Sequence, residues 1–152
     1  MRVSAKADYA VRAAAELAAA GEEGPVKGER LAEAQDIPLQ FLEHILLELK
    51  HAGLVRARRG AKGGYWLARP AEEITIADLV RAVEGPIAHV QSDPPESIEY
   101  RGNAEHLREV WIAVRASLRT VLEEVTLADL VSGELPSVVG DLTADPDAWV
   151  AR

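Results

Sequence analysis

IPLQFLEHILLELKHAGLVRARRGAKGGYWLARP, residues 37–70, is the stretch whose reading decides the fold. Its first half is an amphipathic helix ending near Gly53. Its second half is a basic two-stranded segment with a glycine-rich tip. A recognition helix followed by a wing has this order, and the pair sets side chains into two neighbouring grooves of one DNA duplex.

In the helix, Leu42, Ile45, Leu46 and Leu49 recur at spacings of three and four and make one apolar stripe. Gln40, Glu43, His44 and Lys50 fall off it. Pro38 suits the first turn, where its missing N–H costs nothing. Gly53 is placed as a left-handed cap, with Leu54 packing back. An ordinary surface helix has the same pattern, so the hairpin must decide. Leu54–Arg59 reads as one strand and Gly64–Ala68 as the other, turned by Gly60, Gly63 and Gly64. Arg56, Arg58, Arg59, Lys62 and Arg69 lie here without any acidic residue, an electrostatic match to phosphate. An arginine at such a tip also suits a narrow minor groove. GAKGG lacks the spacing of a nucleotide-binding loop.

Working outward, the chain has 152 residues, 48% hydrophobic and 5% aromatic, which suits one globular domain with an Ala/Leu/Val core. No apolar run is long enough to span a membrane, and the N-terminus lacks the order of a signal peptide, so the expected location is the cytoplasm. A net charge of −8 looks wrong for a nucleic-acid binder until it is divided. Residues 1–70 hold 11 Lys/Arg against 9 Asp/Glu, net +2; residues 71–152 hold 6 against 16, net −10. The acidic half is expected to face away from DNA.

Ser4 caps a helix running to about Ala20, with Tyr9, Ala13 and Leu17 on one face. GEEGP (21–25) is a turn. Val26–Ala34 reads as a short second helix with Leu31 and Ala34 inward, and QDIP (35–38) as the tight turn before the recognition helix. Thr75 and Asp78 start a fourth helix with a capping box, and Gly85–Pro86 end it. Residues 86–103, with three prolines, read as a loop. From Ala104 to about Val125 the residues Leu107, Trp111, Val114, Leu118, Val121 and Val125 step by 4, 3, 4, 3, 4. That is the spacing with which two helices zip together, so a homodimer is expected through this face. TLADLV (126–131) echoes TIADLV (75–80), one capping device used twice; the second helix ends at Gly133. The expected organisation is mainly α with a small two-stranded wing. It comprises a winged helix-turn-helix over 1–85, the 86–103 loop, a dimerisation helix and short last helix over 104–132, and a flexible tail over 133–152.

These residues resemble the Rrf2 family of bacterial winged helix-turn-helix regulators, the group of IscR, NsrR and CymR. The match covers about residues 1–132. It rests on YAVRAAAELA, IPLQFLEHILLELKHAGLV, RGAKGGYWLARP, ITIADLVRAVEGP and the long helix with Trp111. The resemblance implies a cytoplasmic homodimer on a palindromic double-stranded operator, with crossed long helices. It implies DNA contacts at Pro38, Gln40, Glu43, His44 and Arg59; Arg56, Arg58 and Lys62 join them on charge. Gln pairs with adenine, and Glu accepts from cytosine. Glu43 beside phosphate should therefore restrict sequence rather than add affinity.

The chain departs from its family at one point. Many members carry three cysteines in the loop before the long helix and bind an iron–sulfur cluster, whereas this chain has no cysteine at all. Glu105 stands about where the last would be. No thiolate-ligated cluster, disulfide or sulfenic-acid switch can form, and no cofactor is expected. His89 and His106 near Asp93, Glu105 or Glu109 read better as solvated surface than as metal ligands. Three functions remain: a regulator, taken as a repressor answering a small molecule or a protein effector; a protein-interaction module that lost DNA binding; and an enzyme. The intact basic wing disfavours the second. The third lacks any nucleophile motif or paired carboxylates, and Glu43–His44 and Glu105–His106 are neighbours that do not face each other on a helix.

Overall fold

The computed structural model describes all 152 residues. Seven helices and one hairpin follow in chain order: α1 Ala5–Ala20, α2 Gly28–Gln35, α3 Leu39–His51, β1 Val55–Arg58, β2 Gly64–Leu67, α4 Ile76–Glu84, α5 Leu107–Leu122, α6 Leu127–Ser132 and α7 Ser137–Thr143. No helix is long and apolar enough to cross a membrane.

The core is built on α1. Ser4 caps it, its hydroxyl accepting from the Ala7 N–H at 3.0 Å. The face Ala7, Ala10, Ala13, Ala14 and Leu17 is buried, and its small side chains let α2, α3, α4, α6 and β2 close around the helix. All four residues of the α3 stripe, Leu42, Ile45, Leu46 and Leu49, are fully buried there. Each contributes about 2 kcal/mol over an exposed position. Ile74, Leu79 and Leu127 complete the same cluster. Residues 1–85 therefore do not close their core alone, because Leu127 of α6 fills part of it.

Gly53 takes φ +75°, and the Leu54 N–H turns back to the Leu49 carbonyl at 3.0 Å, which sends the chain from α3 into the wing. The strands pair antiparallel from Val55 opposite Leu67 to Arg58 opposite Gly64. A third edge joins them. Val26 and Tyr65 exchange both main-chain hydrogen bonds at 2.8 Å. Val26 is thus part of the wing, and α2 starts two residues later than the sequence pattern indicates. The buried face of α2 is Gly28, Leu31 and Ala32; Ala34, expected inward, is exposed. The two tip glycines are sterically required. A Cβ on Gly63 would lie 2.0 Å from the Arg58 carbonyl oxygen, and one on Gly64 (φ +149°) 2.6 Å from that of Val26.

Both capping boxes form, Thr75 with Asp78 and Thr126 with Asp129. They also lie side by side: the Ile76 N–H donates to Val125 and the Leu127 N–H to Ile74, each at 2.9 Å. Residues 86–106 form a loop with 3-10 turns at Pro95–Ser97 and Gly102–Ala104, so α5 begins at Leu107 rather than Ala104. Val125 lies past the end of α5 and is buried within its own chain; the half-buried stripe of α5 stops at Val121. The tail expected to be flexible instead forms α7, packed on α5, and a 3-10 turn whose Trp149 indole N–H donates to the Thr143 carbonyl at 2.8 Å.

Candidate nucleic-acid interface

Burying one stripe of α3 leaves Gln40, Glu43, His44, Leu47 and Lys50 on the outer face, all exposed. Pro38 is exposed at the N-cap of the same helix. The wing stands beside this face. Between them runs a groove of about 480 Å³ walled by Glu43, Leu47 and Lys50 of α3, by Ala57–Gly60 and Gly63–Tyr65 of the wing, and by Lys27–Glu29 at the start of α2. Glu43 and Arg59 thus face one space. Pro38, Gln40 and His44 sit on the same helix surface outside it. Arg56, exposed on β1, lines neither the groove nor the neighbouring cleft. The Arg58 guanidinium donates to the Lys62 carbonyl at 2.8 Å and braces the hairpin tip.

Electrostatically the surface is primed for an anion. None of Lys27, Lys50, Arg56, Arg58, Arg59 or Lys62 is paired with a carboxylate, although Lys6, Arg12, Arg81, Arg115 and Arg119 are. Unpaired surface cations release counterions when phosphate replaces solvent. His44 is partly engaged already: its Nε2 lies 3.7 Å from the Glu48 carboxylate, which Lys6 of α1 also holds at 2.8 Å. The Tyr65 phenol is pushed above its ordinary value, chiefly by burial and then by Glu43 and Glu29. It therefore stays protonated and offers an O–H donor to the groove.

Sequence reasoning missed Lys27, Leu47, Lys50 and Tyr65 as groove residues. Leu47 and Lys50 were legible, since they follow Glu43 at steps of four and three. Lys27 and Tyr65 reach the groove only through the Val26–Tyr65 pairing, which joins residues 39 apart and leaves no local signal.

A second cleft, about 870 Å³, lies between the end of α1, the base of the wing and α6, with Leu17, Trp66, Leu67, Arg69 and Val131 on its walls. In the 86–106 loop Pro95 is buried, and Glu96 pairs with Arg115 of α5 at 2.7 Å. Its own backbone N–H and then Arg115 hold the Glu96 carboxyl below the usual range. His89 Nδ1 lies 3.2 Å from the Ser92 carbonyl, and no three His, Cys, Asp or Glu side chains converge as a metal site would need. With no cysteine to supply thiolates, these residues do not fit an iron–sulfur cluster.

The stripe Leu107, Trp111, Val114, Leu118 and Val121 runs along α5, yet none of the helix's 16 residues is buried. Val110 beside it is 51% exposed.

Comparison with known proteins agrees with this geometry. A Mycobacterium tuberculosis protein provisionally named an HTH-type transcriptional regulator is 51% identical over 145 residues, covering 95% of this chain and 90% of its own. The HTH-type transcriptional regulator CymR of Bacillus subtilis is 37% identical, covering 87% of this chain and 91% of its own. The solved structure of CymR, the global cysteine regulator of B. subtilis, superposes with a TM-score of 0.73 at 35% identity, over 87% of this chain and 97% of that one. T. potens IscR superposes with a TM-score of 0.69 at 34% identity, over 100% of this chain and 93% of that one. Residues 3–133 match the family described as Rrf2, iron-dependent transcriptional regulator. A winged helix-turn-helix with its outer helix face and basic wing on one surface, and this kinship over nearly its whole length, make the chain a member of the Rrf2 family of DNA-binding transcriptional regulators.

Proposed function

We propose that the chain is a homodimeric repressor of a palindromic operator that works without an iron–sulfur cluster. The observation that carries the reading is the shared groove of α3 and the wing, where Glu43 faces unpaired Lys50 and Arg59. A carboxylate there selects a base edge that donates, cytosine above all, while the cations hold the backbone on either side. The half-exposed apolar stripe of α5 supports the dimer, since a second copy of the same stripe would cover it. The cleft beside α6, bounded by the base of the wing, is where a small effector would act on the wing; a protein effector is the other route.

Selection of bound duplexes from random DNA by the purified, cofactor-free protein tests this. Enrichment of a palindrome is the expected result. No enrichment from a protein that light scattering shows to be dimeric defeats operator binding by the cluster-free form. On the selected operator, Arg59→Ala should weaken binding by about 1–3 kcal/mol and lower the salt slope by about one, with the dimer unchanged. Unaltered affinity at physiological salt removes the wing from the site.

A further inference from the structure

The outer face of α3 holds one residue whose chemistry does not match its neighbours. Leu47 is 45% exposed at the centre of the stripe Gln40, Glu43, His44 and Lys50. It adds little to the core, which Leu42, Ile45, Leu46 and Leu49 fill from the other side of the helix. It opens on the groove, whose wing wall includes Ala57, Gly60 and Gly63, residues with little or no side chain, beside Arg58, Arg59 and Tyr65. A leucine left in water costs nothing to fold but gains when an apolar group displaces that water.

We infer that Leu47 reads the 5-methyl group of a thymine in the major groove. Thymine alone presents a methyl at that edge, and apolar contact is how side chains recognise it. The inference rests on the operator-binding reading above and adds a preference that neither Glu43 nor Gln40 supplies. Leu47 lies one helical turn beyond Glu43, so the methyl belongs to a base pair next to the one Glu43 meets.

The test uses the full-length protein and the selected operator, with each thymine replaced in turn by uracil, which removes only the methyl. One symmetry-related position should lose about fourfold in affinity per half-site, the worth of one buried methyl. The variant Leu47→Ala, at an exposed helical site that alanine suits, should lose about the same on the thymine operator and become indifferent to the uracil at that position. If uracil weakens wild type and Leu47→Ala alike at every position, or weakens neither, the inference is overturned. The same selection with Glu43→Ala separates the two levels. A changed motif for Glu43→Ala, with Leu47→Ala still responding to uracil like wild type, defeats the Leu47 inference alone. An unchanged motif for both variants defeats the assignment of α3 to base recognition as well.

Discussion

Helices α3 and α5 carry the same kind of apolar stripe but meet different fates. In α3, Leu42, Ile45, Leu46 and Leu49 are all fully buried against α1 and its neighbours. In α5, Leu107, Trp111, Val114, Leu118 and Val121 leave no residue buried. The contrast extends to the halves that hold them. Of 24 buried residues, all but Ile87, Pro95, Val125 and Leu127 precede Pro86. A stripe in a sequence therefore states which face seeks cover, not whether the cover comes from the same chain. For α3 the answer is internal; for α5 the proposed second copy would supply it.

Leu46→Ala should give the largest effect. Truncating a fully buried leucine costs about 2–5 kcal/mol, read as a fall in the denaturation midpoint that is the same at every protein concentration. A loss below about 1 kcal/mol would mean that the α3 stripe is no better covered than that of α5. Trp111→Glu should act through association instead. Light scattering should find monomers that retain the helical signal and bind the operator at least about tenfold more weakly. Wild-type Tm should also rise with protein concentration, as mass action requires of a dimer, and that of Trp111→Glu should not. A tightly binding Trp111→Glu dimer would place the partner of α5 elsewhere.

Smaller effects sharpen the contrast between halves. Thr75→Ala and Thr126→Ala each remove one capping box and should cost about 1 kcal/mol, by chemical denaturation. Near-equal losses mean that α4 and α6 unfold in one cooperative unit; a second, separate transition for Thr126→Ala would split the molecule at the loop. The smallest effect concerns the Glu96–Arg115 pair. The folded-state carboxyl is held low, so its stabilising contribution is present above the ordinary glutamate range and fades as pH falls through the folded value. Arg115→Ala should partly flatten a slight loss of stability that sets in as pH falls below about 4. An unchanged acid limb would show that the pair does not tether the loop.

How much was legible follows the range of the interactions. The α3 stripe, its Gly53 exit, the wing and both capping boxes depend on residues a few positions apart, and the chain states them openly. Val26 was read as helix because its decisive partner is Tyr65, far along the chain. Ala32 rather than Ala34 faces inward because α2 packs through Gly28, Leu31 and Ala32, a choice its neighbours make. Val125 continued the heptad count, but the paired caps at Thr75 and Thr126 draw it inside. The tail hid α7 because Pro136, Gly140 and Asp141 are poor helix formers, and contact with α5 outweighs that local preference. Of the groove, the Glu43 and Arg59 walls were readable; Lys27 and Tyr65 were not, for the same reason as Val26.

The side-by-side caps at Thr75 and Thr126 have a mechanical consequence. Two main-chain hydrogen bonds tie the start of α4 to the segment leaving α5, and Arg81 pairs with Glu123 close by. In a dimer built on α5, that weld turns the molecule into a caliper whose jaws are the two α3 helices. In the proposed dimer these main-chain ties, rather than a flexible strap, would set the gap between the jaws, so the operator's half-sites would have to come to the protein at one phasing along the duplex.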